Sequence, residues 1–164
     1  MPETMHSLVA AIFIGTGATI AIDLWSMLRK RLLGVPLLDA ALLGRWLAHL
    51  SRGHLRHRAS GAMPAVKGER AFGWIAHYLI GIAFAAGLLA AAGNAWLQHP
   101  TPGPALGVGL GTVLLPFLIM QPAMGAGIAA SRTPRPWATR MHSVLTHGLF
   151  GLGLYAAGCA WRLV

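Results

Sequence analysis

The sequence predicts an all-α membrane protein, four transmembrane helices plus an amphipathic helix in the first cytoplasmic loop. Three observations carry this expectation. Hydrophobic residues make up 55% of the 164 positions and charged residues 10%, where a soluble domain carries roughly a quarter charged residues. The apolar residues fall in four long blocks, each of about the 20 residues that cross a hydrocarbon core. The formal charge of +9 is gathered between those blocks.

The placement of charge sets the expected topology. Arg29, Lys30, Arg31, Arg45, Arg52, Arg56, Arg58, Lys67 and Arg70 lie between the first and second blocks, and Arg132, Arg135 and Arg140 between the third and fourth. The turn around His99 to Pro104 has no Lys, Arg, Asp or Glu. The positive-inside rule produces this alternation. It predicts a multi-pass protein of the inner (plasma) membrane, with both basic loops cytoplasmic and both termini outside. Topology accounts for the charge, so nucleic acid is not an expected partner; the lipid bilayer is. The first block is expected to be a retained anchor, because Arg29-Lys30-Arg31 follow it where a signal peptide has its charge in front. The lone Cys159 excludes an intrachain disulfide and reads as a small apolar filler.

A single domain, residues 1–164, is expected to hold spans at about 8–28, 72–97, 105–130 and 141–161, with a cytoplasmic loop at 29–71. In the first span Thr16, Thr19, Asp23 and Ser26 recur at helical spacing and form one polar stripe. In the loop, Pro36 to Leu50 reads as a helix. Ala40, Leu43, Trp46, Leu47 and Leu50 share one side and Arg45, His49 and Arg52 the other. Such a helix either lies in the membrane interface or packs on the ends of the spans. Asp39 near its start fits the helix dipole, and Glu69 is expected to cap the second span or pair with a loop arginine. Arg52 to Gly68 is expected to be a mobile loop, with His49, His54 and His57 solvated. Pro116 and Pro122 are expected to kink the third span.

Spans two and four resemble each other: Ala76-His77-Tyr78-Leu79-Ile80-Gly81 sits against Thr146-His147-Gly148-Leu149-Phe150-Gly151. This points to a duplicated span–basic loop–span unit, with Asp23 loosely answering Gln121. Gly107 and Gly111 form a small-x-x-x-small pair, and Gly81 and Gly151 follow the two histidines by one turn, so tight helix packing is expected at these glycines.

The candidate site follows from cost. An Asp at the centre of a span costs roughly 2.5–3.5 kcal/mol on insertion scales, so Asp23, His77 and His147 need explaining. Counted from the flanking basic residues, each sits roughly 9–11 Å inside the cytoplasmic boundary. Gln121 lies about one turn deeper. Thr19 on the Asp23 stripe and Tyr78 beside His77 complete the candidate binding set. Three readings stand: a proton or cation site for a small solute or ion, a transition-metal site of two-His-one-carboxylate type with Gln121 or Tyr78 behind it, and polar groups that hydrogen-bond to hold a tight bundle. No catalytic residue is assigned. The serines have no elbow or triad around them, and four acidic residues in total are few for magnesium-dependent phosphoryl transfer. No cofactor is clearly implied.

Several segments together resemble a known family. Gly17-Ala18-Thr19 leads to Asp23-Leu24-Trp25, followed by Gly44-Arg45-Trp46-Leu47, Ala76-His77-Tyr78-Leu79-Ile80-Gly81, Pro116 to Pro122, Ala130-Ser131-Arg132-Thr133-Pro134, and His147 with Phe150 to Tyr155. In this order they resemble the bacterial integral membrane proteins grouped as domain of unknown function 2938. The resemblance implies a small inner-membrane protein and supplies no activity and no catalytic residues. The leading functional expectation is a permease-like or proton-linked protein, which with only four spans would require a homodimer. The alternatives are a non-catalytic scaffold or accessory subunit working through the basic loop, and a metal-dependent membrane enzyme.

Overall fold

The computed structural model describes residues 3–35, 39–53 and 64–163, and among them the regular structure is helical throughout. The α-helices of the described residues are α1 (Glu3–Leu33), α2 (Ala40–Leu50), α3 (Glu69–Ala92), α4 (Asn94–Gln98), α5 (Pro102–Gly111), α6 (Gln121–Ala123) and α7 (Pro136–Trp161). A π-helical segment, Pro116–Met120, precedes α6, and a 3-10 turn, Ile128–Ala130, follows it. Four stretches are long and apolar enough to cross a membrane: Thr4–Leu33, Glu69–Ala92, Pro102–Ala123 and Pro136–Trp161.

The helix ends depart from the expected spans for local reasons. α1 runs 31 residues, about 46 Å at 1.5 Å per residue, and ends on Lys30 and Arg31, which complement the partial negative charge of a helix C-terminus. α3 stops at Ala92, five residues short of the expected end, because Gly93 adopts φ 74° and turns the chain into α4. The third span starts at Pro102, where a missing N–H costs nothing in a first turn. It does not continue to Ala130. Pro122 cannot donate a hydrogen bond, the N–H of Gln121 reaches back five residues to Pro116 O, and Gly125 with φ 83° ends the run. α7 begins at Pro136 rather than near Met141.

The chain forms two compact units. One comprises Met1–Leu37, Tyr78–Thr112 and Leu145–Val164; the other comprises Leu38–His77 and Val113–Val144.

In the first unit small residues let helices meet backbone to backbone. A Cβ placed on Gly15 would lie 2.5 Å from Ile82 Cα, and one on Gly109 would lie 2.5 Å from Gly151 Cα. Gly153 meets Ala18, Gly17 meets Ala157 and Gly158 meets the Trp96 ring. These registers make α1 antiparallel to both α3 and α7, and α5 antiparallel to α7. Ala10, Ala11, Ile14, Ala18, Ala85, Leu88, Phe150 and Leu154 form the core they enclose. The expected packing at Gly81 and Gly151 is present. Gly107 and Gly111 pack differently from expectation: a Cβ on either would meet nothing within 4 Å, and the contact on that helix is made by Gly109 between them.

In the second unit α2 is a packed helix. Asp39 caps it, its Oδ1 accepting from the Leu42 N–H at 3.1 Å. Gly44 and Gly73 bring α2 onto the first turns of α3, so close that a Cβ on Gly44 would strike Glu69 O. Leu43 and Trp46 are buried with Ala123 and Met124, which decides between the interfacial and packed readings of this helix in favour of packing. Arg45 and Glu69 form a two-pronged ion pair, Nη2 to Oε1 at 2.6 Å and Nε to Oε2 at 2.8 Å, and hydrogen bonding to Glu69 raises the pKa of the Arg45 guanidinium. Glu69 is thus the partner of a loop arginine. His49 is buried, not solvated: its Nε2 lies 3.0 Å from Pro64 O, because the helix face bearing it is covered by the incoming chain. Residues 36–38, at the expected start of the loop helix, and 54–63, most of the expected mobile loop with His54 and His57, lie outside the described residues.

Candidate functional site

The polar stripe of α1 meets α3 in the first unit. Gly15, Thr19 and Asp23 follow one another at four-residue steps and therefore share a face. Opposite them run Ile82, Gly81 and Tyr78. Thr19 is buried and its hydroxyl donates to Gly15 O at 2.8 Å. Its Oγ1 fills the space a side chain on Gly81 would need. One turn on, the Tyr78 hydroxyl donates to Asp23 Oδ2 at 3.0 Å, between partly buried side chains. A carboxylate offers about four lone-pair positions, and Tyr78 fills one of them with a neutral donor.

The other expected site residues divide between the units. His147 belongs to the first, on α7, partly buried and engaged in interactions of its own; its carbonyl lies where Gly109 passes. His77 and Gln121 belong to the second. His77 stands edge-on to the Trp74 ring, centroids 5.7 Å apart. Gln121 sits where the π-helical segment gives way to α6, and its Oε1 is buried with no hydrogen-bond partner among the described residues. Asp23, Tyr78 and Thr19 are therefore brought together on one seam. Among the described residues no three His, Cys, Asp or Glu side chains gather as a metal-holding group.

Tyr78, expected in the candidate binding set, has its hydroxyl as the direct partner of Asp23. The missed signal was Gly15 four residues before Thr19, which marks the face of α1 that approaches another backbone. Trp25 Nε1 and Arg29 Nε, which the polar stripe did not include, are buried and unpartnered among the described residues.

Fold and seam together define a class: helical proteins with four stretches of membrane-crossing length and a carboxylate–phenol pair joining two of them. The chain belongs to the family described as protein of unknown function (DUF2938), whose match covers residues 12–161. No curated protein and no solved structure matches the chain.

Proposed function

We propose that this is a multi-pass inner-membrane protein, its basic loops cytoplasmic and both termini outside, that moves a small solute or ion coupled to a proton or cation at Asp23. The observation that carries the reading is the hydrogen bond from Tyr78 on α3 to Asp23 on α1. An Asp there costs roughly 2.5–3.5 kcal/mol to insert, and a structural tie between two helices needs only neutral partners. Retaining a carboxylate, with a phenol to orient it, is economical when the carboxylate is used. Thr19 one turn away supplies a hydroxyl on the same face, and His147 in the same unit is a further polar group on which a pathway would draw. Two copies would complete a carrier, since four spans are few for alternating access.

The accessory-subunit reading takes the basic loop as its working surface, of which residues 39–53 and 64–71 are described. Leu43 and Trp46 of α2 are already covered by Ala123 and Met124, and Arg45 is already paired, so that reading has less to stand on. The metal-enzyme reading lacks a ligand cluster among the described residues.

The test uses purified protein in phospholipid vesicles with an imposed pH gradient and a trapped pH dye. The wild type is expected to dissipate the gradient faster than empty vesicles. Asp23→Asn is expected to abolish the difference and Tyr78→Phe to reduce it, both with unchanged insertion. Loss of Asp23→Asn protein from the membrane would instead assign Asp23 to structure. A wild type no faster than empty vesicles across a panel of monovalent cations would end the reading.

A further inference from the structure

Trp25 and Arg29 lie one turn apart on α1 and so project from one face. Trp25 Nε1 and Arg29 Nε are both buried and both lack a hydrogen-bond partner among the described residues. Native proteins rarely leave such donors unmet, and two on one face call for an acceptor with more than one oxygen. Arg29 is followed by Lys30 and Arg31, both exposed. The chain brings no acid to Arg29 among the described residues. It contains four: Asp39 caps α2, Glu69 holds Arg45, Asp23 accepts from Tyr78, and Glu3 begins the same helix, about 39 Å away at 1.5 Å per residue. An anion from outside the protein would meet these donors.

The surroundings say which kind. Leu24, Leu28, Leu32 and Leu33 on the same stretch of α1 are exposed, Leu24 at 61% and Leu32 at 70%. Donors and cations set beside exposed aliphatic side chains suit an amphiphile, with its phosphate on the donors and its chains along the leucines. Indole and guanidinium are the side chains that favour the boundary between headgroups and hydrocarbon, and basic groups at a cytoplasmic helix end recognise anionic headgroups. We propose that Trp25 and Arg29, with Lys30 and Arg31, bind the phosphate of an anionic phospholipid. The site does not depend on the role given to Asp23.

The experiment measures thermal unfolding of the purified full chain in neutral detergent with added phosphatidylglycerol, phosphatidylcholine or inorganic phosphate, with native mass spectrometry to count retained lipid. Phosphatidylglycerol is expected to raise the Tm by several degrees and to stay bound; phosphatidylcholine and inorganic phosphate are expected to do neither. Arg29→Gln should at least halve the shift, Trp25→Phe should reduce it, and Arg29→Lys should keep part of it. Should Arg29→Gln fail to fold, the double substitution K30Q/R31Q at exposed positions gives the same readout. Equal shifts from the two lipids, or an undiminished shift in the variants, would overturn the proposal. A full shift from inorganic phosphate alone would overturn it in favour of a soluble anion.

Discussion

Two helix pairs in the first unit start alike and end differently. Where α1 meets α3, Gly15 makes the close approach and the Thr19 hydroxyl bonds back to Gly15 O. Where α5 meets α7, Gly109 makes the close approach and the Thr112 hydroxyl bonds back to Gly109 O at 2.6 Å. The facing glycines, Gly81 and Gly151, are the pair that the resemblance between spans two and four aligns. Beyond the threonines the pairs diverge. α1 continues as regular helix and delivers Asp23 to Tyr78, whereas the third span passes through Pro116 into a π-helical segment. There the aligned partner of Tyr78 is Gly148, which has no hydroxyl to give. The comparison teaches that the glycine–threonine device serves packing in both halves, and that the polar pair was added to, or kept in, only one.

The most damaging way to break this comparison is to put bulk into both seams. Gly15→Leu and Gly109→Leu each set a side chain against backbone that cannot yield, and each is expected to cost about 3 kcal/mol or more. Size-exclusion profiles and unfolding in detergent should show loss of the monodisperse peak for both. Tyr78→Phe tests the part that differs. It removes the donor to Asp23 and is expected to cost about 1–3 kcal/mol, while Gly148→Ala at the aligned position, where the nearest atom to the added carbon is a Leu110 methyl at 3.6 Å, should change the Tm little. Thr19→Val and Thr112→Val are expected to cost about 1 kcal/mol or less each, because both hydroxyls bond within their own helices; a much larger loss for Thr19 alone would show that its hydroxyl serves the Asp23 seam. Gly107→Ala is the smallest change, expected within about 0.5 kcal/mol, and a clear loss there would restore the Gly107–Gly111 pair as a packing surface.

Much of this architecture was legible because lipid is a demanding solvent. A span must be long, apolar and hydrogen-bonded within itself, so the four blocks announce themselves by composition. Asp39 as a cap and Glu69 as the partner of a loop arginine were also readable, since both follow from the chemistry of helix starts and from the scarcity of acids. Three things were not. A glycine pattern says that a helix has a narrow side but not which side is used, so Gly109 was passed over for its neighbours. His49 reads as polar and hence solvated; only tertiary contact reveals that Pro64 O awaits it. The third span's ends depended on how two prolines and Gly125 act together, and a proline constrains the backbone without dictating whether the helix kinks, widens or stops. Of the candidate site, Asp23 was visible by its cost and Tyr78 and Thr19 as members of the binding set, whereas the direct contact of Asp23 with Tyr78 depends on how the two helices are rotated against each other, which composition does not encode.

The burial of α2 has a consequence for synthesis. Leu43 and Trp46 find their cover in Ala123 and Met124, which the ribosome makes about 80 residues later. At roughly 5–20 residues per second that is about 4–16 s in which a newly made helix with a tryptophan on its greasy side lacks this part of its cover. The helix that ends as an internal strut begins as a tethered amphiphile, and the speed of translation through the second and third spans sets how long it stays one.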